Sequence, residues 1–182
     1  MGRDFKLKGL VPLLLLLAVG ILGATTSVGT AQQVGGPIVA GDTAWMLTAT
    51  ALVLLMTPGL AFFYGGMVNR KNVIATMLQS LAAIGVVSLL WVQVGFSPAF
   101  GDSLGGLIGN PLSYFMFQGV AGATQMQLSL TIPLALFALF QMKFAIITPA
   151  LITGSFAERI RFSAYLVFIC LWSVLIYCPL AH

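Results

Sequence analysis

Residues 126–156 read MQLSLTIPLALFALFQMKFAIITPALITGSF, a run in which Lys143 is the single charged side chain. At a rise of about 1.5 Å per residue, a helix of this length exceeds the ~30 Å hydrocarbon core of a bilayer. Pro133 and Pro149 inside it predict tilt or a kink. Three more apolar runs flank it, at residues 42–66, 73–96 and 163–181, each near the ~20 residues a spanning helix needs. Of the 182 residues, 59% are hydrophobic and only 7% charged, with a mean hydropathy of +1.05. A soluble domain carries about 25% charged residues, so soluble enzymes, nucleic-acid-binding domains and disordered tails are excluded. The sequence predicts an all-α integral membrane protein.

The N-terminus reads as a targeting segment. Arg3, Lys6 and Lys8 form a positive stretch, Leu10 to Leu22 an apolar core, and Gly29-Thr30-Ala31 a small-residue cleavage site. Residues 1–31 are therefore expected to be a signal peptide; an uncleaved first membrane helix is the rival reading. Residues 32–41 then form an extracytoplasmic linker. The net charge of +4 is a topology signal rather than a nucleic-acid one, because no basic stripe exists. Arg70, Lys71, Arg159 and Arg161 occupy two short turns, while the Gly-containing loop at residues 97–125 has no Lys or Arg. The positive-inside rule places both turns in the cytoplasm and the loop outside. A cleaved chain then starts outside and returns outside at His182, as a multi-pass protein of the plasma membrane.

Few residues could do chemistry. His182 is the single histidine, so no histidine dyad, metal cluster or catalytic triad can be built, and no metal or cofactor is expected. Asp42 and Asp102 read as solvated caps or turn residues, and Glu158 as an exposed ion pair among basic neighbours. No P-loop, GxSxG or HExxH is present. Cys170 and Cys178 share one apolar run and make no CxxC motif. The chain is not expected to be an enzyme.

The spans are more informative. Thr57-Pro58-Gly59 is expected to interrupt the first helix, and Leu60-Ala61-Phe62-Phe63-Tyr64-Gly65-Gly66 follows, rings giving way to glycines that a neighbour could approach closely. A packed helix end is the plainer reading. In the third run Phe137, Phe140, Phe144 and Leu151 form one stripe at helical spacing, which suits helix packing as well as a ligand path. Lys143 lies far inside that run, where a lysine costs about 2.5–3.5 kcal/mol on insertion scales and faces protein or water. Snorkelling, a buried pair and a functional role all stay open for it.

Taken in order, these tracts resemble the ammonium transporter/Rhesus family. The resemblance rests on residues 57–66 followed by Asn69-Arg70-Lys71-Asn72-Val73, then Leu90-Trp91 with Gly95-Phe96-Ser97 and Ala99-Phe100-Gly101. Phe140-Gln141, Phe144-Ala145 and Ile147-Thr148 continue it, and Gly154-Ser155-Phe156-Ala157-Glu158-Arg159-Ile160-Arg161-Phe162 completes it. It extends from about Asp42 to His182. It implies a trimer whose protomers each hold a pore within about eleven helices, ten of them in two inverted repeats. This chain would supply about four, an incomplete first repeat.

By the same resemblance, Phe140 lines an outer vestibule where ammonium is recruited, and Phe144 is one of two stacked gate rings. Leu60, Phe63, Tyr64 and Leu151 line an apolar slot toward the cytoplasm. The implied substrate is ammonium or ammonia, the implied setting the lipid bilayer, and the implied partner a PII-class nitrogen regulatory protein at the cytoplasmic face. The family's vestibule Trp and Ser, second gate Phe and two pore histidines have no counterpart in these residues, and His182 matches neither pore histidine. The expected function is ammonium transport, with these residues not competent alone. A non-transporting ammonium sensor and an assembly fragment on the same scaffold are the alternatives.

Overall fold

Helix α1 spans Ala40–Met67 and crosses Thr57-Pro58-Gly59 without interruption. Proline removes one helical hydrogen bond, but a 28-residue helix held by its neighbours tolerates the loss. The computed structural model describes residues 34–182, so the expected signal peptide at 1–31 lies outside the described residues. Helix α2, Arg70–Phe100, opens with a 3₁₀ turn at Arg70–Asn72 and widens into a π turn at Trp91–Gly95. Helix α3 covers Leu134–Phe156 and helix α4 Phe162–Ala181, the latter with its own π turn at Ser173–Tyr177. All four are long and apolar enough to cross a membrane.

The third helix starts at Leu134, not at residue 126. Pro133 is its N-cap residue, and residues 125–129 close on themselves instead. Gln125 Oε1 accepts the backbone N–H groups of Gln127 (2.9 Å) and Leu128 (2.6 Å), while Ser129 Oγ accepts that of Gln125 (3.1 Å). Such side-chain bonds offer the backbone an alternative to the helix. The expected linker is likewise tied down in its described part. Gly35 N–H donates to the Thr124 carbonyl (3.1 Å) and Val39 N–H to that of Thr131 (2.9 Å). Between α2 and α3 a two-stranded ribbon, β1 Ser103–Leu104 and β2 Ile108–Gly109, turns through Gly105 and Gly106, whose φ values of 66° and 76° suit glycine.

Helix α2 is the centre of the bundle. Both α1 and α3 pack on it and on each other, and α4 packs mainly on α2. Small residues let the backbones close in: Ala83 on α2 and Ala138, Ala145 and Ala150 on α3 are fully buried. Trp91 is buried at the π turn, its Nε1–H donating to the Ala138 carbonyl (3.1 Å) and so joining α2 to α3. The two π turns also meet, with Cys178 Sγ–H of α4 donating to the Gly95 carbonyl of α2 (3.4 Å). A π turn displaces backbone carbonyls from their helical donors, and here a thiol serves one of them. Tyr165 at the start of α4 donates to the Gln79 carbonyl (3.0 Å), fixing the other end of the same pair.

Candidate functional site

The stripe foreseen on the third span exists on α3. At 100° per residue, Phe140, Phe144 and Leu151 fall within about 40° of one another on the helix surface. The Phe140 and Phe144 rings meet edge to face, with centroids 5.1 Å apart and planes at 76°. Both are only partly buried, so the pair presents an open aromatic surface, while Ala138 and Ala145 on the far side of the helix are sealed in the core. Phe137 departs from this pattern: its ring packs on Phe100 at 5.2 Å and belongs to the core. Leu151 lies seven residues beyond Phe144, about 10 Å along the axis, and is half exposed.

There α1 joins the stripe. Tyr64 O–H donates to the Leu151 carbonyl at 2.7 Å, and its ring lies 5.5 Å from that of Phe63. Phe63 is 61% exposed, whereas Leu60 is partly buried against the core. The ring of Tyr64 sits on Gly154, where an added Cβ would come within 2.8 Å of Cε1 and 2.9 Å of Cζ. Gly154 is thus the glycine that a neighbouring ring requires. Gly65 approaches Met77, a Cβ there meeting its Cγ at 3.0 Å, but Gly66 faces open space. Of the six expected residues, Phe140 meets Phe144, and Phe63 and Tyr64 join Leu151, while Leu60, like Phe137, packs against the core.

Just past Leu151, the α1–α2 turn and the α3–α4 turn are tied together by Glu158. Its Oε1 accepts the Asn69 backbone N–H (2.7 Å) and Asn72 Nδ2–H (2.9 Å), and its Oε2 accepts Asn69 Nδ2–H (3.0 Å). The expectation of an exposed ion pair is corrected: amides hold both carboxylate oxygens. Hydrogen bonds from Asn72 and Asn69, more than the charge of Lys71, hold this carboxyl below the ordinary glutamate range. Residue pattern alone hides this contact, because its partners are 86 and 89 positions away. The one legible signal is a single acid in a basic turn.

Lys143, one residue before Phe144, is half buried and makes no hydrogen bond or ion pair among the described residues. At the opposite end of the bundle, Asp102 accepts a hydrogen bond from Ser113 Oγ (3.0 Å) within the loop. Burial and the nearby Asp102 push the Tyr114 phenol up and keep it neutral. A cavity of about 470 Å³ there is lined by residues including Phe100, Asp102, Gln127 and His182, with His182 Nδ1 3.3 Å from the Ala99 carbonyl. No group of three or more potential metal ligands occurs among the described residues.

The model of the Ammonium Transporter Family matches residues 44–182. The chain belongs to the ammonium transporter family. An ammonium transporter of Mycobacterium bovis is 48% identical over 155 residues, covering 78% of this chain and 32% of the relative. One of Aquifex aeolicus is 44% identical over 168 residues, covering 91% and 39%. Among solved structures, Mep2 of Saccharomyces cerevisiae superposes with a TM-score of 0.70 at 34% identity, over 79% of this chain and 31% of Mep2. A structure described as a sensor Amt protein gives 0.68 at 29% identity, over 78% and 33%. The chain thus spans roughly a third of the length of these family members, and its four helices match part of their fold.

Proposed function

We propose that these residues form one wall of an ammonium or ammonia path across the plasma membrane. The observation that carries this reading is that one stripe of α3 holds the partly exposed Phe140–Phe144 ring pair and the half-exposed Leu151, where Tyr64 of α1 joins it with Phe63 beside it. Phe140 recruits the cation in an outer vestibule, Phe144 gates it, and Leu60, Phe63, Tyr64 and Leu151 line the apolar slot beyond. The basic turns face the cytoplasm and the Ser103–Gly109 ribbon faces outside, which puts residue 34 outside as well.

Magnitudes limit what such a wall can do. Attraction between a cation and each ring face is worth about 0.5–2 kcal/mol. Moving a small cation from water into an apolar slot costs several-fold more. Rings alone can recruit ammonium, but they cannot carry it charged through the slot. Passage requires loss of the proton and a polar relay for it, and the single imidazole here, His182, sits beside Ala99 at the outer end. The relay and the second wall are supplied by the remaining two thirds of a family protein, with a homotrimer as the working assembly and a PII-class protein as the cytoplasmic regulator.

The test is uptake of labelled methylammonium in cells lacking their own ammonium transporters. Residues 42–182 joined in register to the remaining helices of a family relative restore uptake, while the 182 residues alone insert without restoring it. An inserted but inactive fusion would overturn the transport reading in favour of a sensor on the same scaffold, the reading favoured by the likeness to the sensor Amt protein. Rescue by the 182 residues alone would overturn the argument about the missing relay.

A further inference from the structure

We propose that Lys143 sets the selectivity of this path, as a fixed positive charge beside the Phe140–Phe144 pair that turns back ions and passes the neutral amine. The inference rests on the transport reading above. The two rings cannot make that distinction themselves. A ring face attracts any cation that comes within about 6 Å, potassium as well as ammonium.

Lys143 stands apart from the other charged side chains of residues 34–182, which lie in loops or at the very start of a span. On α3 it sits about 13 Å from one end of the helix and about 20 Å from the other. Its four-carbon stem spans neither distance, so the charge does not escape to the bilayer surface. An ionisable residue at that depth faces a protein partner or a water-filled path. Among the described residues it has no partner: it makes no hydrogen bond or ion pair, and no charged neighbour acts on it. It is only partly buried, so its charge is open to the path.

Helix geometry places that charge at the rings. At 100° per residue, Lys143 lies about 60° round α3 from Phe140 and about 140–160° from the sealed Ala138 and Ala145, on the margin of the open stripe. Along the axis its Cα lies about 4.5 Å beyond that of Phe140 and about 1.5 Å short of that of Phe144. Helical side chains lean toward the N-terminal end, so the stem runs back over the turn that carries Leu139 and Phe140. Leu139 is 40% exposed, which leaves that turn open. The fixed charge comes to rest between the recruiting ring and the gate. Like charges repel strongly away from bulk water, and an arginine at a pore constriction excludes cations by such a barrier. A potassium ion cannot shed its charge and is turned back. An ammonium ion that hands its proton to the relay in the remaining helices goes on as ammonia.

The experiment uses residues 42–182 joined in register to the remaining helices of a family relative, in cells lacking their own ammonium and potassium uptake. Uptake of labelled methylammonium and of rubidium, a stand-in for potassium, is compared at equal membrane abundance. The unchanged fusion should take up methylammonium and exclude rubidium. Lys143→Met and Lys143→Gln should each raise rubidium uptake relative to methylammonium several-fold. Lys143→Arg keeps the charge and should keep the exclusion. Two neutral replacements of different polarity guard against misfolding of either one.

A ratio unchanged in both neutral variants, or raised as much in Lys143→Arg, overturns the proposal. So does loss of both neutral variants from the membrane while Lys143→Arg persists, which would assign the charge to an acidic partner in the remaining helices. An unchanged fusion that takes up no methylammonium overturns the transport reading, and this inference with it.

Discussion

Gly154→Ala should destabilise the chain even though alanine is the better helix former. The new Cβ would lie 2.8 Å from Tyr64 Cε1 and 2.9 Å from Cζ. Ordinary carbon contacts begin near 3.5 Å, so the ring must withdraw by about 0.7 Å. It is not free to do so, because its hydroxyl is anchored to the Leu151 carbonyl at 2.7 Å. Withdrawal along that bond would stretch it to about 3.4 Å, beyond the useful range for O–H···O. Overpacking costs about 1–3 kcal/mol and the lost hydrogen bond about 0.5–1.5 kcal/mol. The gain in helix propensity offsets at most about 1 kcal/mol of this. The net is a destabilisation of about 1–3 kcal/mol, read as a lowered midpoint of denaturant unfolding in detergent. In a Tyr64→Ala background the obstruction is gone, and Gly154→Ala should become neutral or stabilising by up to about 1 kcal/mol. A double-mutant cycle therefore reports a coupling of about 2–4 kcal/mol. Stabilisation by Gly154→Ala with Tyr64 present, or equal effects in both backgrounds, would refute the seating of that ring on that glycine.

Three other outcomes follow from the same geometry. In a complete protein carrying these residues, Phe144→Ala should change methylammonium flux or selectivity at equal membrane abundance, while Phe162→Ala should alter abundance alone; an unchanged Phe144→Ala profile removes the gate role. With Cys170 and Cys178 replaced by alanine, a cysteine at Leu107 should react with an impermeant maleimide added outside intact cells and one at Lys71 should not; the reverse pattern inverts the topology. The Glu158 clasp should also follow a defined pH course. Its folded pKa lies below the ordinary value of 4.5, so its contribution is complete above that pH and fades as the pH falls through the depressed value. The difference in unfolding midpoint between the unchanged chain and Asn72→Ala should stay flat from neutral pH down to about 5, and a change nearer pH 7 would count against the clasp.

How much of this was legible in the residues depends on the range of each determinant. The four spans and the aromatic stripe are local facts. Hydropathy over about 20 residues decides insertion, and a period of 3.6 places Phe140, Phe144 and Leu151 together whatever surrounds them. The start of α3 was less accessible, because residues 126–133 are apolar enough to extend the helix. Their course is set instead by Gln125 and Ser129, whose side chains take up the backbone donors of a turn. Pro58 misled in the other direction. A proline ends many soluble helices, but in a membrane the surrounding helices hold the chain in place across the missing bond.

The contacts between distant segments were the least legible, and they are what give the candidate site its shape. Neither the composition nor the period of α1 shows that Tyr64 will choose the Leu151 carbonyl, and nothing local distinguishes Gly154 from Gly66. The difference appears only when α1 and α3 are packed: one glycine lies under a ring and the other faces open space. Glu158 makes the same point with charge. Its flanking residues in sequence, Arg159 and Arg161, suggest an ion pair, yet its three donors come from the turn between α1 and α2. The consequence extends past the clasp itself. Because Tyr64 and Glu158 both join the end of α1 to the end of α3, a perturbation of either turn should reach Leu151 and Phe63, whereas Phe140 and Phe144, fixed by the buried alanine face of α3 on α2, should keep their geometry. The two groups of the candidate site are therefore mechanically separable: clasp variants should alter the slot near Leu151 and leave the Phe140–Phe144 pair unchanged.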